Sequence, residues 1–90
     1  HGLIGLTRTA ALEYAADGIR INAICPGIIP SGMVPVEGRP DIIGHLASGV
    51  PMGRLGQPEE IAQAVLWLCS EEASFVTGHV LIADGGESIP

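Results

Sequence analysis

The chain has 90 residues, 47% hydrophobic and 16% charged, a balance that excludes a disordered tail and allows one domain with a modest core. Its net charge of −6, with the four basic residues scattered as Arg8, Arg20, Arg39 and Arg54, excludes a nucleic-acid or anionic-membrane surface. No apolar run reaches the roughly 18 residues of a membrane-spanning helix; the longest is Ala64 to Cys69.

From Leu3 to Ala16 apolar residues recur at helical spacing, with Leu3, Leu6, Ala10 and Tyr14 on one stripe and Ile4, Ala11 and Ala15 beside it. This predicts a helix stopped at Asp17-Gly18, where glycine can take the left-handed conformation. Gly2 and Gly5 lie inside it at a cost of about 1 kcal/mol each, which predicts close packing against another backbone or a nearby site. The branched run Ile19 to Cys25 is apolar on both faces and predicts a strand of a covered parallel sheet, ended by Pro26-Gly27.

The stretch from Ile28 to Gln57 is rich in glycine and proline, with a short helix expected around Asp41 to Ser48. Pro58-Glu59-Glu60 opens a second helix running to Ser70, since proline suits the first helical position and carboxylates suit the positive end of the helix dipole. A last strand is expected from Val76 to Ala83, closed by Asp84-Gly85-Gly86. Helix, strand, long loop, helix, strand is the order of a right-handed β-α-β crossover behind a leading helix, so the two strands should be parallel neighbours.

Chemistry is sparse. His1, His45 and His79 lack ligand spacing and read as exposed or locally hydrogen-bonded. Cys25 and Cys69 read as reduced core residues, which suits a cytoplasmic protein. There is no lysine, no glycine-rich phosphate loop, and the single tyrosine, Tyr14, lies on a packing stripe. The chain therefore offers no catalytic residues of its own. The richer signal is the strand end, Cys25 to Ser31: ligands of open parallel sheets bind outside the carboxyl ends of strands. There Gly27 would admit close backbone approach, Ile28 and Ile29 would form an apolar wall with free main-chain groups, and Ser31 would offer a hydroxyl.

Arg20 to Ile29, followed by Ser31 and Met33, is similar to the R-[VI]-N-x-[VI]-x-P-G-x-[VI]-x-T-x-M stretch of short-chain dehydrogenases/reductases. Gly5-Leu6-Thr7-Arg8 with Ala11-Leu12-Glu13, Pro51 to Ala62, Ser74 to His79 and Asp84-Gly85-Gly86 resemble further segments of that family in the same order. The resemblance implies an α/β fold, the C-terminal part of a Rossmann-type doubly wound parallel sheet. Residues 1–90 would form a single partial domain of a larger enzyme, and residues 32–57 a substrate lid loop.

The resemblance further implies NAD or NADP as cofactor and an alcohol or ketone as substrate. The family's serine, tyrosine and lysine would lie upstream of His1. Pro26, Gly27, Ile28, Ile29, Ser31 and Met33 match the cofactor-binding stretch, with Ser31 standing where threonine is usual. The apolar lid residues hint at a substrate with apolar surface. The parent would be a homo-oligomer, dimer or tetramer. An alternative is a truncated, non-catalytic oligomerisation or interaction module.

Overall fold

Leu3, Ile4, Leu6 and the alanines at positions 10 and 11 wind the first segment into a helix, α1 (Gly2–Tyr14), in the computed structural model, which describes residues 2–30 and 38–90. A 3-10 turn, Ala15–Asp17, tightens its end, and Gly18 closes it at φ 76°. The strands are β1 (Ala23–Pro26) and β2 (Val80–Ala83), and two further helices, α2 (Pro40–Ala47) and α3 (Pro58–Leu68), lie between them. The strands pair in parallel, with Ala23 opposite Val80 and Pro26 opposite Ala83, as the crossover order predicts.

Both strands are shorter than their apolar runs. Residues 20 to 22 do run beside residues 76 to 79, but side chains take over the ladder there. The Asn22 Nδ2 donates to the Val76 carbonyl at 3.1 Å, and its Oδ1 accepts from the His79 N–H at 2.9 Å. The Ile21 N–H donates to Thr77 Oγ1 at 3.1 Å, and the Gly78 N–H to the Ile21 carbonyl at 2.7 Å. Gly78, at φ 73°, breaks the extended conformation ahead of Val80. The Arg20 guanidinium donates to the carbonyls of Leu68, Ser70 and Val76 at 2.8, 3.2 and 3.2 Å. It places positive charge against the last carbonyls of α3, where unsatisfied acceptors and the negative end of the helix dipole meet.

The buried face of α1 follows the second stripe, through half-buried Ile4 and buried Ala11, and not the first. Thr7 and Ala11 are buried, whereas Leu3, Leu6 and Tyr14 are 61%, 67% and 42% exposed. Ala11 sits under Gly78, where an added Cβ would approach its methyl to 3.4 Å. Thr7 Oγ1 is satisfied by the Leu3 carbonyl at 2.7 Å. The small side chains let α1 approach the start of the strand pair, and the large ones point away from it. Nothing comes within 4 Å of a Cβ built on Gly2 or Gly5, so the close packing expected there is not made by the described residues.

Candidate cofactor-edge site

The site grows from the carboxyl ends of the two parallel strands. Pro26 ends β1, and the Gly27 N–H continues the ladder to the Ala83 carbonyl at 3.0 Å. A Cβ on Gly27 would stand 2.8 Å from both Cα and Cβ of Asp84. Gly27 therefore serves the approach of the neighbouring strand end. Beyond it, half-buried Ile28 and Ile29 line a cleft of about 280 Å³ with Val50, Met52, Ile61 and Gly85. Ser31 and Met33 lie outside the described residues.

The strand-end pattern leads to the expectation of free main-chain groups at Ile28 and Ile29, but the Ile28 carbonyl is engaged. It accepts from the Gly56 N–H at 3.1 Å. Gly56 also lies against Ile29, whose Cδ1 would be 2.5 Å from an added Cβ. No described residue engages the Ile29 N–H.

Across the cleft, Val50 to Met52 rest on the closing glycines. The Met52 N–H donates to the Gly85 carbonyl at 3.1 Å. Added Cβ atoms on Gly85 and Gly86 would come 2.7 Å from Val50 and 3.2 Å from Pro51. Gly85 and Gly86 hold φ values of 65° and 93°, so glycine is required there by conformation as well as by space. Asp84 fastens the turn, accepting at 3.0 Å from the N–H groups of Gly86 and of Ser88. Hydrogen bonds from the Ser88 side chain and from these main-chain groups hold its carboxyl below the usual range.

Two other charged groups line the cleft, and they pair with each other. Arg54 Nη1 and Nη2 meet Glu60 Oε1 and Oε2 at 2.8 and 3.0 Å, a bidentate fork. Glu60 Oε1 also accepts from the Gln57 N–H at 2.9 Å, capping the start of α3. The Arg54 hydrogen bond, followed by that of the Gln57 N–H, lowers the Glu60 carboxyl to about 2, and the same pairing raises Arg54. Asp84, Arg54 and Glu60 are thus all committed to structure, and none is poised for proton transfer.

The remaining residues of interest lie apart. Both cysteines are free, but only Cys25 is half-buried; Cys69 is exposed at the C-cap of α3, which corrects its reading as a core residue. His45 and His79 are exposed. Among the described residues no three His, Cys, Asp or Glu side chains gather into a metal-sized cluster, and no helix is long and apolar enough to cross a membrane. Sequence patterns give Val50, Arg54, Gly56 and Glu60 no part in the site, although the last three lie within the family-like stretch Pro51 to Ala62. These three are visible in Gly53-Arg54-Leu55-Gly56-Gln57-Pro58-Glu59-Glu60, but nothing local says that Gly56 reaches Ile28.

Parallel strands with a cleft at their carboxyl ends have the layout of an open α/β sheet, whose ligands bind at that edge. A family profile described as enoyl-(acyl carrier protein) reductase matches residues 1–88. The A-factor type gamma-butyrolactone 1'-reductase (1S-forming) of Streptomyces virginiae is 50% identical over 91 residues, covering 99% of this chain and 35% of the relative. Cyclohexanol dehydrogenase of an Acinetobacter species is 49% identical over 86 residues, covering 94% of this chain and 32% of its own. The crystal structure of 3-oxoacyl-[acyl-carrier protein] reductase from Brucella melitensis superposes with a TM-score of 0.89 at 40% identity, covering 99% of this chain and 33% of that one. The chain belongs to the short-chain dehydrogenase/reductase family and carries part of its Rossmann fold. It spans about a third of the length of these relatives.

Proposed function

We propose that this chain forms the nicotinamide-facing edge of an NAD(P)-dependent oxidoreductase that interconverts an alcohol and a ketone by hydride transfer. The observation that carries the reading is the placement of Ile28 and Ile29. They leave the carboxyl end of β1 into a largely apolar cleft, and the Ile29 amide is not engaged by any described residue. A cleft of about 280 Å³, with an apolar wall from Ile28, Ile29, Val50, Met52 and Ile61 and charged groups that are already paired or hydrogen-bonded, suits one ring-sized amide.

When bound, the nicotinamide supplies or accepts the hydride. The chain's own residues bind and orient. Ile28 and Ile29 exclude water from one face, the Ile29 main chain bonds the carboxamide as the family resemblance implies, and Pro26 and Gly27 set the path of the loop. By family resemblance Ser31 adds a hydroxyl and Met33 a contact near the substrate. Proton transfer falls to the serine, tyrosine and lysine that the resemblance puts before His1, so the 90 residues alone are inactive. Relatives named for cyclohexanol dehydrogenation and acetoacetyl-CoA reduction support alcohol and ketone chemistry.

The same reading makes the protein a homo-oligomer, dimer or tetramer. Leu66, Trp67, Phe75 and Ile82, 63%, 43%, 102% and 54% exposed, supply apolar surface for such contacts. Free cysteines suit a reducing, cytoplasmic compartment.

The experiment is a fluorescence titration of the full-length protein with NADH and NADPH, followed by assay against secondary alcohols and their ketones. Ser31→Ala should weaken cofactor binding by about 0.5–1.5 kcal/mol, the net worth of one hydrogen bond, and Ser31→Thr should be nearly silent. Absence of dinucleotide binding would overturn the proposal.

A further inference from the structure

Gly56 is the point at which the segment leading into α3 grips the loop after β1. Its N–H holds the Ile28 carbonyl at 3.1 Å, and the absence of a side chain lets Ile29 Cδ1 lie against it. The residues on either side of Gly56 are themselves fixed. Leu55 is buried, and its carbonyl accepts from Arg54 Nη1 at 3.2 Å. The Gln57 N–H is held by Glu60 Oε1 at 2.9 Å. Both tethers end on the same ion pair.

An isolated surface pair, half-exposed as this one is, contributes little to stability. This pair differs in geometry. Arg54 and Glu60 meet through two bonds, and each spends a further bond on the main chain flanking Gly56. Planar fork geometry fixes orientation as well as distance. The fork therefore sets where the Gly56 N–H lies, and through it where Ile28 and Ile29 lie.

We propose that Arg54 and Glu60 are positioning residues for the nicotinamide end of the cofactor site, acting through Gly56 on the Ile28–Ile29 wall. The inference rests on the assignment of that wall to the nicotinamide. Neither residue needs to touch the cofactor. Disturbing the fork should displace the wall and leave the distant adenine end of the site alone.

The test uses the full-length protein and two probes, the intact dinucleotide and ADP-ribose, which lacks the nicotinamide. Glu60→Gln and Arg54→Met should lower dinucleotide affinity about three- to tenfold, the loss expected when one hydrogen bond is misplaced. ADP-ribose affinity should be unchanged, and Arg54→Lys, which keeps the charge without the fork, should fall between. Gly56→Ala places a Cβ against Ile29 Cδ1, the free end of that side chain, and should give a smaller loss with the same selectivity. It keeps the proposal testable if either fork variant fails to fold. Equal losses for both probes, or no loss for either, would overturn the proposal. If the unsubstituted protein binds the dinucleotide no better than ADP-ribose, the nicotinamide assignment fails first, and this inference with it.

Discussion

Gly27 and Asp84 occupy adjacent strand ends so closely that a Cβ on Gly27 would stand 2.8 Å from two atoms of Asp84, one of them backbone. Asp84 cannot step aside, because its carboxylate holds the turn through Gly86 and Ser88. Gly27→Ala should therefore destabilise the protein by about 1–3 kcal/mol, the range for overpacking, with the strand ends pushed apart. Denaturant midpoints check this; an unchanged midpoint would show that the ends separate freely.

Arg20 should matter to stability rather than to chemistry. Its guanidinium satisfies the carbonyls of Leu68, Ser70 and Val76. Arg20→Met keeps the stem and strands these acceptors, at an expected cost of about 2–3 kcal/mol. Thermal unfolding measures the loss. Cofactor affinity below the transition should stay as it was, and a selective loss of affinity would give Arg20 a different role.

The acid limb of stability should follow two carboxylates. Glu60 is lowered from 4.5 to about 2, and Asp84 is lowered from 3.8. Groups whose folded pKa lies below the unfolded one stabilise fully above the unfolded value and lose that contribution as pH falls through the folded one. Stability should therefore decline from about pH 4.5 toward pH 2, and Glu60→Gln should flatten that decline. Urea midpoints over this range in both proteins test it; parallel pH profiles would remove Glu60 from the account.

Made alone, the 90 residues are expected to associate or precipitate and to turn over no alcohol. A two-stranded sheet leaves ladder groups unpaired, and Leu3, Leu6, Leu66 and Ile89 are each more than 60% exposed. Little area is buried to offset about 1–2 kcal/mol of backbone entropy per ordered residue. Sedimentation and near-ultraviolet circular dichroism are the measurements. A cooperative thermal transition in a dilute monomer would contradict the expectation.

Elements with a local cause are legible in the sequence. Helical spacing and Pro58-Glu59-Glu60 mark α1 and α3, Gly18 marks the stop between α1 and β1, and two apolar runs mark a parallel pair. What fails is whatever depends on a partner distant along the chain. Arg20 to Asn22 read as strand because Ile19 and Ile21 are branched, yet side chains replace the ladder there. Leu3, Leu6 and Tyr14 form the larger stripe of α1, yet Thr7 and Ala11, the latter on the neighbouring stripe, make the contact. Periodicity reports which side of a helix can be buried, not which neighbour is near enough to bury it. At the candidate site, Ile28 and Ile29 line the cleft beyond β1, but the Gly56 bond to Ile28 links two loops with no shared local pattern.

The clasp made by Arg20, Ile21 and Asn22 joins residues 48 to 57 positions apart. Such contacts form only after the intervening chain has been brought round, whereas α1 and α3 close through bonds a single turn long. On the ribosome the segment from Arg20 to Pro26 emerges well before Val76 to Ala83 exists. For that interval its branched side chains and its half of the parallel ladder have no partner from β2. The clasp thus forms only once Val76 to His79 have been made, and until then the strand segment waits without that partner.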